Sequence, residues 1–183
     1  GTTKMMRDFA RARGIELEVP SLITSVDGKP ISSTRIRRLI AQGDLADVIP
    51  LLGRAHCLRG TVVRGDGRGN GLGIPTANIN VDDALAIPGK GVYAAKLRVG
   101  GRWWPSAVNV GHAPTFRTGG ELRLEAFLID YDGPGIYDQP VRLAFLARLR
   151  QEQRFSGPQA LVAQVQRDIE QARQLCAGAA DPL

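Results

Sequence analysis

Hydrophobic and polar positions follow helix-like and strand-like spacings in turn along the first part of the chain. Residues 3–13 have helical character, and the alternation of apolar residues with glutamates over 15–19 predicts a strand. A Ser or Thr can cap a second helix that runs to about Gln42, and a third short helix covers 45–52. The first 53 residues therefore predict one strand and three helices.

From Cys57 onward, short β-branched or apolar runs are separated by Gly-rich and Pro-rich turns, which is typical of a β-barrel. These runs cover residues 57–63, 91–99, 102–110, 121–131 and 140–149. Helical spacing then returns, and Ser156 with Gln159 predicts a capping box at the start of a final helix. This helix should pack on the barrel exterior through one apolar face. The face consists of Leu161, Val162, Val165, Ile169, Ala172 and Leu175.

The length of 183 residues accommodates one main domain and a smaller appendage, and no apolar run is long enough to cross a bilayer. The first residues carry no export signal, and the two cysteines lack the spacing of a zinc or redox site. We therefore expect a cytoplasmic protein with reduced cysteines and no membrane partner.

The net charge of +6 raises the question of a nucleic-acid partner. Residues 1–56 carry nine Lys or Arg and six acids, and residues 57–183 carry fifteen and twelve, so each part has a charge of +3. This even distribution argues against one concentrated basic stripe, and phosphate-bearing small ligands account for the excess equally well. We therefore expect small-molecule partners and no nucleic acid.

A Gly-rich loop over residues 65–73 follows the first strand of the predicted barrel. Its five alternating glycines allow tight turns that direct backbone N–H groups at an anion, and Arg68 adds a positive charge. The loop has neither the GK[ST] ending of a Walker loop nor the following helix of a dinucleotide fingerprint. A flexible hairpin loop is the alternative interpretation.

A Pro-Thr-Ala-Asn sequence directly follows this loop. Alternation along an extended segment puts Thr76 and Asn78 on the same side. Two neutral oxygens suit a Mg²⁺ ion once ATP supplies the negative charge. The alternative is a pair of turn residues that bond their own backbone.

Glu125 is a second candidate for chemistry, as a catalytic side chain. It shares one face of its predicted strand with Phe127 and Ile129, and Leu124 belongs to the opposite face. A carboxylate among apolar neighbours suits a general base, and phosphoryl transfer needs a residue that orients the attacking hydroxyl. A strand glutamate on a solvated edge is the alternative.

These residues together resemble the signature of riboflavin kinases. The resemblance starts with the loop and the Pro-Thr-Ala-Asn sequence, covers about residues 57–175, and continues through later motifs in the family's order. The later motifs are Gly91-Val92-Tyr93-Ala94, Asn109-Val110-Gly111 with Pro114-Thr115-Phe116, Leu124-Glu125, Ile136-Tyr137, Leu149-Arg150 with Glu152 and Phe155, and Asp168-Ile169.

The resemblance implies a mainly β fold, a six-stranded antiparallel Greek-key barrel with a C-terminal helix. It implies transfer of the ATP γ-phosphoryl to the riboflavin 5′-hydroxyl, with Thr76 and Asn78 holding Mg²⁺ and Glu125 as the base. Arg150 and Phe155 would belong to a flap over the flavin. The implied ATP-binding residues are Gly65, Gly67, Arg68, Gly69, Gly73, Leu128 and Tyr137.

The sequence departs from the family pattern at three points. Asn70 stands where a basic residue is frequent near the phosphates, and Phe127 replaces a histidine common after the glutamate. The third departure concerns residues 31–37, which resemble the closing ATP-phosphate motif of the FMN adenylyltransferase domain that precedes this kinase in bacteria. The HxGH-type motif of that domain is missing from the sequence.

We therefore expect residues 1–56 to be the C-terminal remnant of such a truncated domain with a linker, and residues 57–183 to be the kinase domain. No FMN adenylylation is expected of this chain. A non-catalytic barrel that binds flavin or nucleotide is the main alternative function, and an oligonucleotide-binding barrel is another. Glu125 distinguishes a kinase from a non-catalytic barrel that binds flavin or nucleotide, because a pure binder needs no base.

Overall fold

The computed structural model describes residues 2–65, 74–112 and 122–182. The chain divides into two compact units, Gly1–Ser32 and Ser33–Leu183. Among the described residues, every helix is too short or too polar to span a bilayer.

The first unit contains one helix, α1 (Thr3–Ala12), as the sequence predicts. The Thr2 hydroxyl caps it by accepting a hydrogen bond from the Met5 N–H at 3.3 Å. The strand predicted over 15–19 is wrong, because these residues form no strand in the structure. A strand needs a neighbouring strand and a face to bury, whereas Ile15 is 53% exposed and residues 2–32 contain only an isolated bridge between Thr24 and Pro30.

The second unit begins with two short helices, α2 (Ser33–Gln42) and α3 (Leu45–Leu52). The left-handed backbone at Gly53 (φ 69°) ends α3, and its N–H bonds the Ile49 carbonyl. Buried residues of both helices, such as Ile40 and Val48, belong to the hydrophobic core of the barrel. The domain boundary at residue 56 was predicted from sequence resemblance and not from packing, and it stays a prediction.

Six antiparallel strands close into a barrel in the order β1-β2-β5-β4-β3-β6, which confirms the predicted fold class. Consecutive strands β3, β4 and β5 are neighbours, and β2 lies beside β5, which is a Greek-key arrangement. The strands are β1 (His56–Val63), β2 (Ala77–Val81), β3 (Gly91–Val99), β4 (Arg102–His112), β5 (Leu122–Leu128) and β6 (Pro140–Arg150).

Alternate side chains of the strands point into the barrel and fill it with apolar atoms. Each such fully buried large side chain contributes about 1.5–3 kcal/mol relative to an exposed one. The interior therefore fixes which positions of each strand face outward. Interior residues include Leu58, Val62, Leu97, Val108, Val110, Leu124, Ala126, Leu143 and Phe145.

A final helix, α4 (Pro158–Ala177), packs on the barrel exterior against β3 and β4, as predicted. The predicted capping box is wrong, because Gly157 occupies the N-cap and no side chain caps the helix. Pro158 starts the helix with a fixed φ and no N–H to satisfy. Of the predicted apolar face, Ala172 is fully buried, whereas Leu175 is 45% exposed. Asp168 and Cys176 are also buried on this side of the helix.

Candidate active site

The larger of the two cavities that the predicted site residues line lies on the outer surface of the barrel, where strand side chains face α4. Its volume is about 640 Å³, which lies within the range of small-molecule sites. The lining residues come from four of the strands (β3 to β6), from the segments before β2 and after β6, and from α4. They include Thr76, Val92, Ala107, Asn109, Glu125, Phe127, Arg150, Glu152, Phe155, Leu161, Val165 and Asp168.

Glu125 stands between two asparagines in a row across three strands. The register pairs it with Asn78 of β2 on one side and with Asn109 of β4 on the other. Its neighbours in the chain, Leu124 and Ala126, point into the barrel, so Glu125 points outward. Directly opposed residues have Cβ atoms about 4.5–5.5 Å apart, which brings both amides beside the carboxylate.

Asn109 is a site residue that the sequence analysis did not single out as one. It belonged to a recognised motif, Asn109-Val110-Gly111, but no pattern gave it a role. Its place beside Glu125 depends on the pairing of β4 with β5. That register depends on how the whole barrel closes, so local sequence carries little signal for it.

Gly65 meets the side chain of Asn78 where the chain leaves β1. A Cβ atom at position 65 would overlap the Asn78 side-chain amide where that amide now lies, so glycine allows the backbone and the amide to be this close. The start of the predicted phosphate loop therefore lies against one of the two predicted metal-binding residues. Gly67, Arg68, Gly69 and Gly73, predicted to bind ATP, lie outside the described residues, as does Asn70.

The smaller cavity, of about 260 Å³, lies between the start of β2 and the segment that follows β5. Leu128 and Tyr137, both predicted to border ATP, line it. Thr76 lines this cavity and the larger one as well. The two cavities therefore meet at Thr76, a predicted metal-binding residue.

Aromatic residues order the wall of the smaller cavity. The Tyr131 hydroxyl donates to the Pro134 carbonyl at 2.8 Å, which fixes the loop between them. The Tyr131 ring packs edge-to-face on Trp104, with 5.0 Å between ring centroids. At the edge of the cavity, the Arg64 guanidinium lies 5.5 Å from the Tyr137 ring centroid and brings a positive charge there.

Arg150 and Phe155, the predicted flavin-binding pair, both line the larger cavity. The Arg150 guanidinium carbon lies 5.6 Å from the centroid of the Phe155 ring. Its Nη2 atom forms an ion pair with Asp168 Oδ2 at 2.8 Å. Planar charged and aromatic groups of this kind suit a flat heterocycle.

The sequence matches a family model described as flavokinase, riboflavin kinase, over residues 52–176. Among curated proteins, it is 38% identical over 143 residues to the bifunctional riboflavin kinase/FMN adenylyltransferase of Listeria monocytogenes, covering 78% of this chain and 45% of that protein. It is 33% identical over 174 residues to the protein of the same description from Bacillus subtilis, covering 94% and 54%.

A solved structure from Streptococcus pneumoniae, described as a macrolide-efflux protein, is similar with a TM-score of 0.81 and 32% identity. The likeness covers 91% of this chain and 54% of that one. The chain spans about half the length of the relatives it matches. Because the family model covers more than half of the residues, the chain belongs to the flavokinase family, the family of riboflavin kinases.

Proposed function

We propose that this chain is a riboflavin kinase, which transfers the γ-phosphoryl group of ATP to the 5′-hydroxyl of riboflavin and yields FMN and ADP. The observation that supports it most is that Thr76 lines two cavities, one with Glu125 and one with Leu128 and Tyr137. Two substrates bound in adjoining cavities can meet at their shared boundary, which is what a direct transfer requires.

The larger cavity has the length and polarity that riboflavin needs. A row of paired residues runs from Glu125 through Asn109 and Val92 to Arg150 across four strands. Three inter-strand spacings amount to about 14 Å along the barrel surface. A flavin ring beside Arg150 and Phe155 would extend its ribityl chain toward Glu125.

Glu125 is proposed as the general base. Its carboxylate accepts the proton of the 5′-hydroxyl while the hydroxyl oxygen forms a bond to the γ-phosphorus and the bond to the ADP oxygen breaks. The amides of Asn78 and Asn109 flank the carboxylate and limit its orientations. No other protein group has to exchange a proton in this step.

Thr76 and Asn78 fit a magnesium ion that arrives with ATP. Hydroxyl and amide oxygens are hard neutral ligands, and Mg²⁺ commonly combines few protein ligands with phosphate oxygens and water. In the described part of the chain, no group of three or more His, Cys, Asp or Glu residues could hold a metal by itself. When bound, the ion would neutralise phosphate charge.

The smaller cavity is proposed as the nucleotide site. Leu128, Tyr131 and Tyr137 give it apolar and aromatic walls that suit a base ring. Arg64 adds a cation at its edge, next to Tyr137. Gly67, Arg68, Gly69 and Gly73, outside the described residues, stay predicted phosphate contacts, as does Gly65.

The test is conversion of riboflavin to FMN with ATP and Mg²⁺, followed by chromatography of the flavins. We expect Glu125→Gln to lower kcat by about 10²-fold or more, because it removes the base and keeps the shape. Glu170→Gln is the matched control, since Glu170 is an exposed residue of α4 that lines neither cavity. It should leave kcat unchanged.

The same chromatography tests the absence of adenylylation. The two histidines, His56 and His112, do not form an HxGH-type motif, so we propose that FMN and ATP yield no FAD with this chain. Turnover that survives Glu125→Gln would contradict the proposed base. Tight binding of riboflavin and ATP by the parent without any turnover would favour the non-catalytic flavin-binding barrel instead.

A further inference from the structure

Asp168 is a buried carboxylate in the wall of the larger cavity. It lies on the face of α4 that packs on the barrel, and its side chain is only 3% exposed. A buried charge is costly unless it is paired and hydrogen-bonded. Asp168 meets this requirement through Arg150, whose Nε donates to both oxygens at 3.0 and 3.1 Å, and through Gln164, whose Nε2 donates to Oδ1 at 2.9 Å.

The ion pair determines which part of Arg150 a ligand can reach. Two of its nitrogens, Nε and Nη2, face Asp168, and Nη1 donates to the Gln151 carbonyl at 3.1 Å. Each guanidinium nitrogen thus has a protein acceptor, and these bonds fix the orientation of the guanidinium plane. The flat face of the group lies in the cavity wall beside Phe155.

We propose that Asp168 is a positioning residue for the flavin, which holds the Arg150 plane in the orientation that stacks with a flat ring. Asp168 also balances the charge of Arg150, which suits the uncharged ring system of riboflavin. Gln164 extends the support, because its Oε1 accepts from Arg167 Nη2 at 2.7 Å while its amide nitrogen bonds Asp168. The inference rests on the proposed function.

The chain offers a matched control for a purely structural role. Arg173 of α4 forms a second Arg–Asp ion pair with Asp130, which follows β5. The Asp130 side chain is 67% exposed and lines neither cavity. Its φ of 57° is left-handed, a conformation that asparagine also tolerates. Asp130→Asn therefore weakens a link between α4 and the barrel without changing the flavin cavity.

The experiment compares four variants with the parent by riboflavin fluorescence titration and by steady-state kinetics. We expect Asp168→Asn to weaken riboflavin binding roughly tenfold, because a charged hydrogen-bond partner of Arg150 is lost. The KM for ATP should stay within about twofold, since Asp168 does not line the nucleotide cavity. Asp130→Asn should leave riboflavin affinity unchanged.

A double variant separates positioning from a general effect on folding. If Asp168 acts through Arg150, Asp168→Asn combined with Arg150→Gln binds riboflavin no more weakly than Arg150→Gln alone. Additive losses would overturn the proposal, as would an Asp168→Asn variant with the riboflavin affinity of Asp130→Asn. If Asp168→Asn does not fold, Gln164→Leu replaces it, and unchanged riboflavin affinity in that variant overturns the proposal.

The binding titration keeps this inference distinct from the kinase proposal. A parent chain that binds riboflavin and phosphorylates it, with Asp168→Asn unaffected, overturns the role of Asp168 alone. A parent chain that neither binds nor phosphorylates riboflavin overturns both proposals.

Discussion

At Gly65, the addition of a single methyl group should lower the activity and leave the stability of the fold nearly unchanged. A methyl group at this position would displace the amide of Asn78, which is the end of a side chain and can move at little cost. We expect Gly65→Ala to lower kinase activity about tenfold or more, because small misplacements next to reacting groups are costly. The midpoint of urea denaturation should change little.

Gly157→Ala is the control for this substitution. Nothing lies within 4 Å of a Cβ at Gly157, and its φ of 177° is extended backbone that any residue adopts. Activity should therefore stay at the parent level. A Gly65→Ala variant that keeps full activity would mean that the position of the Asn78 amide does not matter for the reaction.

Single residues also show where sequence reasoning about the site stops. Alternation along a strand is a local rule, so the sequence could place Thr76 and Asn78 on the same side of an extended segment. It could likewise place Glu125 and Leu124 on opposite faces of their strand. The neighbour of Glu125 on β4 and the partner of Arg150 on α4 depend on strand register and helix docking. The roles predicted for these residues stay predictions.

At the scale of elements, Trp104 and Tyr131 connect β4 to the segment that forms the wall of the smaller cavity, the proposed nucleotide site. Edge-to-face aromatic pairs contribute about 0.5–1.5 kcal/mol beyond their buried area. We expect Trp104→Leu to loosen the Tyr131 loop and to raise the KM for ATP several-fold, with little change in the KM for riboflavin.

Trp103→Leu is the matched control, because the adjacent residue of β4 points to the opposite face and contacts Arg98 rather than Tyr131. It should leave both KM values close to those of the parent. Equal changes in the KM for ATP in the two variants would show that the effect comes from β4 as a whole and not from the Trp104–Tyr131 contact.

The sequence predicted well those strands that bury an apolar face. Five barrel strands have the long apolar or β-branched runs that a buried face requires, and each appears in the structure. The five-residue β2 is too short for a pattern of its own, and it was expected only from the family resemblance. The strand predicted over 15–19 failed because alternation alone gives no pairing partner.

At the scale of the whole molecule, helices α2 and α3 pack with the barrel, although residues 1–56 were expected to be the remnant of another domain. The compact unit begins at Ser33, and buried residues of both helices join the barrel core. Arg148 Nη2 of β6 lies 3.4 Å from Asp44 Oδ1, and this ion pair connects β6 to the start of α3. The boundary at residue 56 was predicted from sequence resemblance, whereas apolar contacts decide which segments unfold together.

The stability of this unit should depend on pH through His56 at the start of β1. Burial lowers the pKa of His56 below its ordinary value of 6.5, and its Nε2 lies 2.7 Å from the Ala86 carbonyl, to which it donates as the neutral ring. As the pH falls below about 6.5, the unfolded chain gains a proton at His56 before the folded chain does. The free energy of unfolding should therefore fall as the solution becomes more acidic.

Urea denaturation of the parent and of His56→Gln at pH 7.5 and pH 5.5 measures this contribution. Glutamine can keep a donor near the Ala86 carbonyl but does not titrate, so the variant should lose less stability between the two pH values. Every other titratable group is common to both proteins, so the difference belongs to His56. Equal losses in both proteins would contradict the assignment and would place the acid sensitivity in other groups.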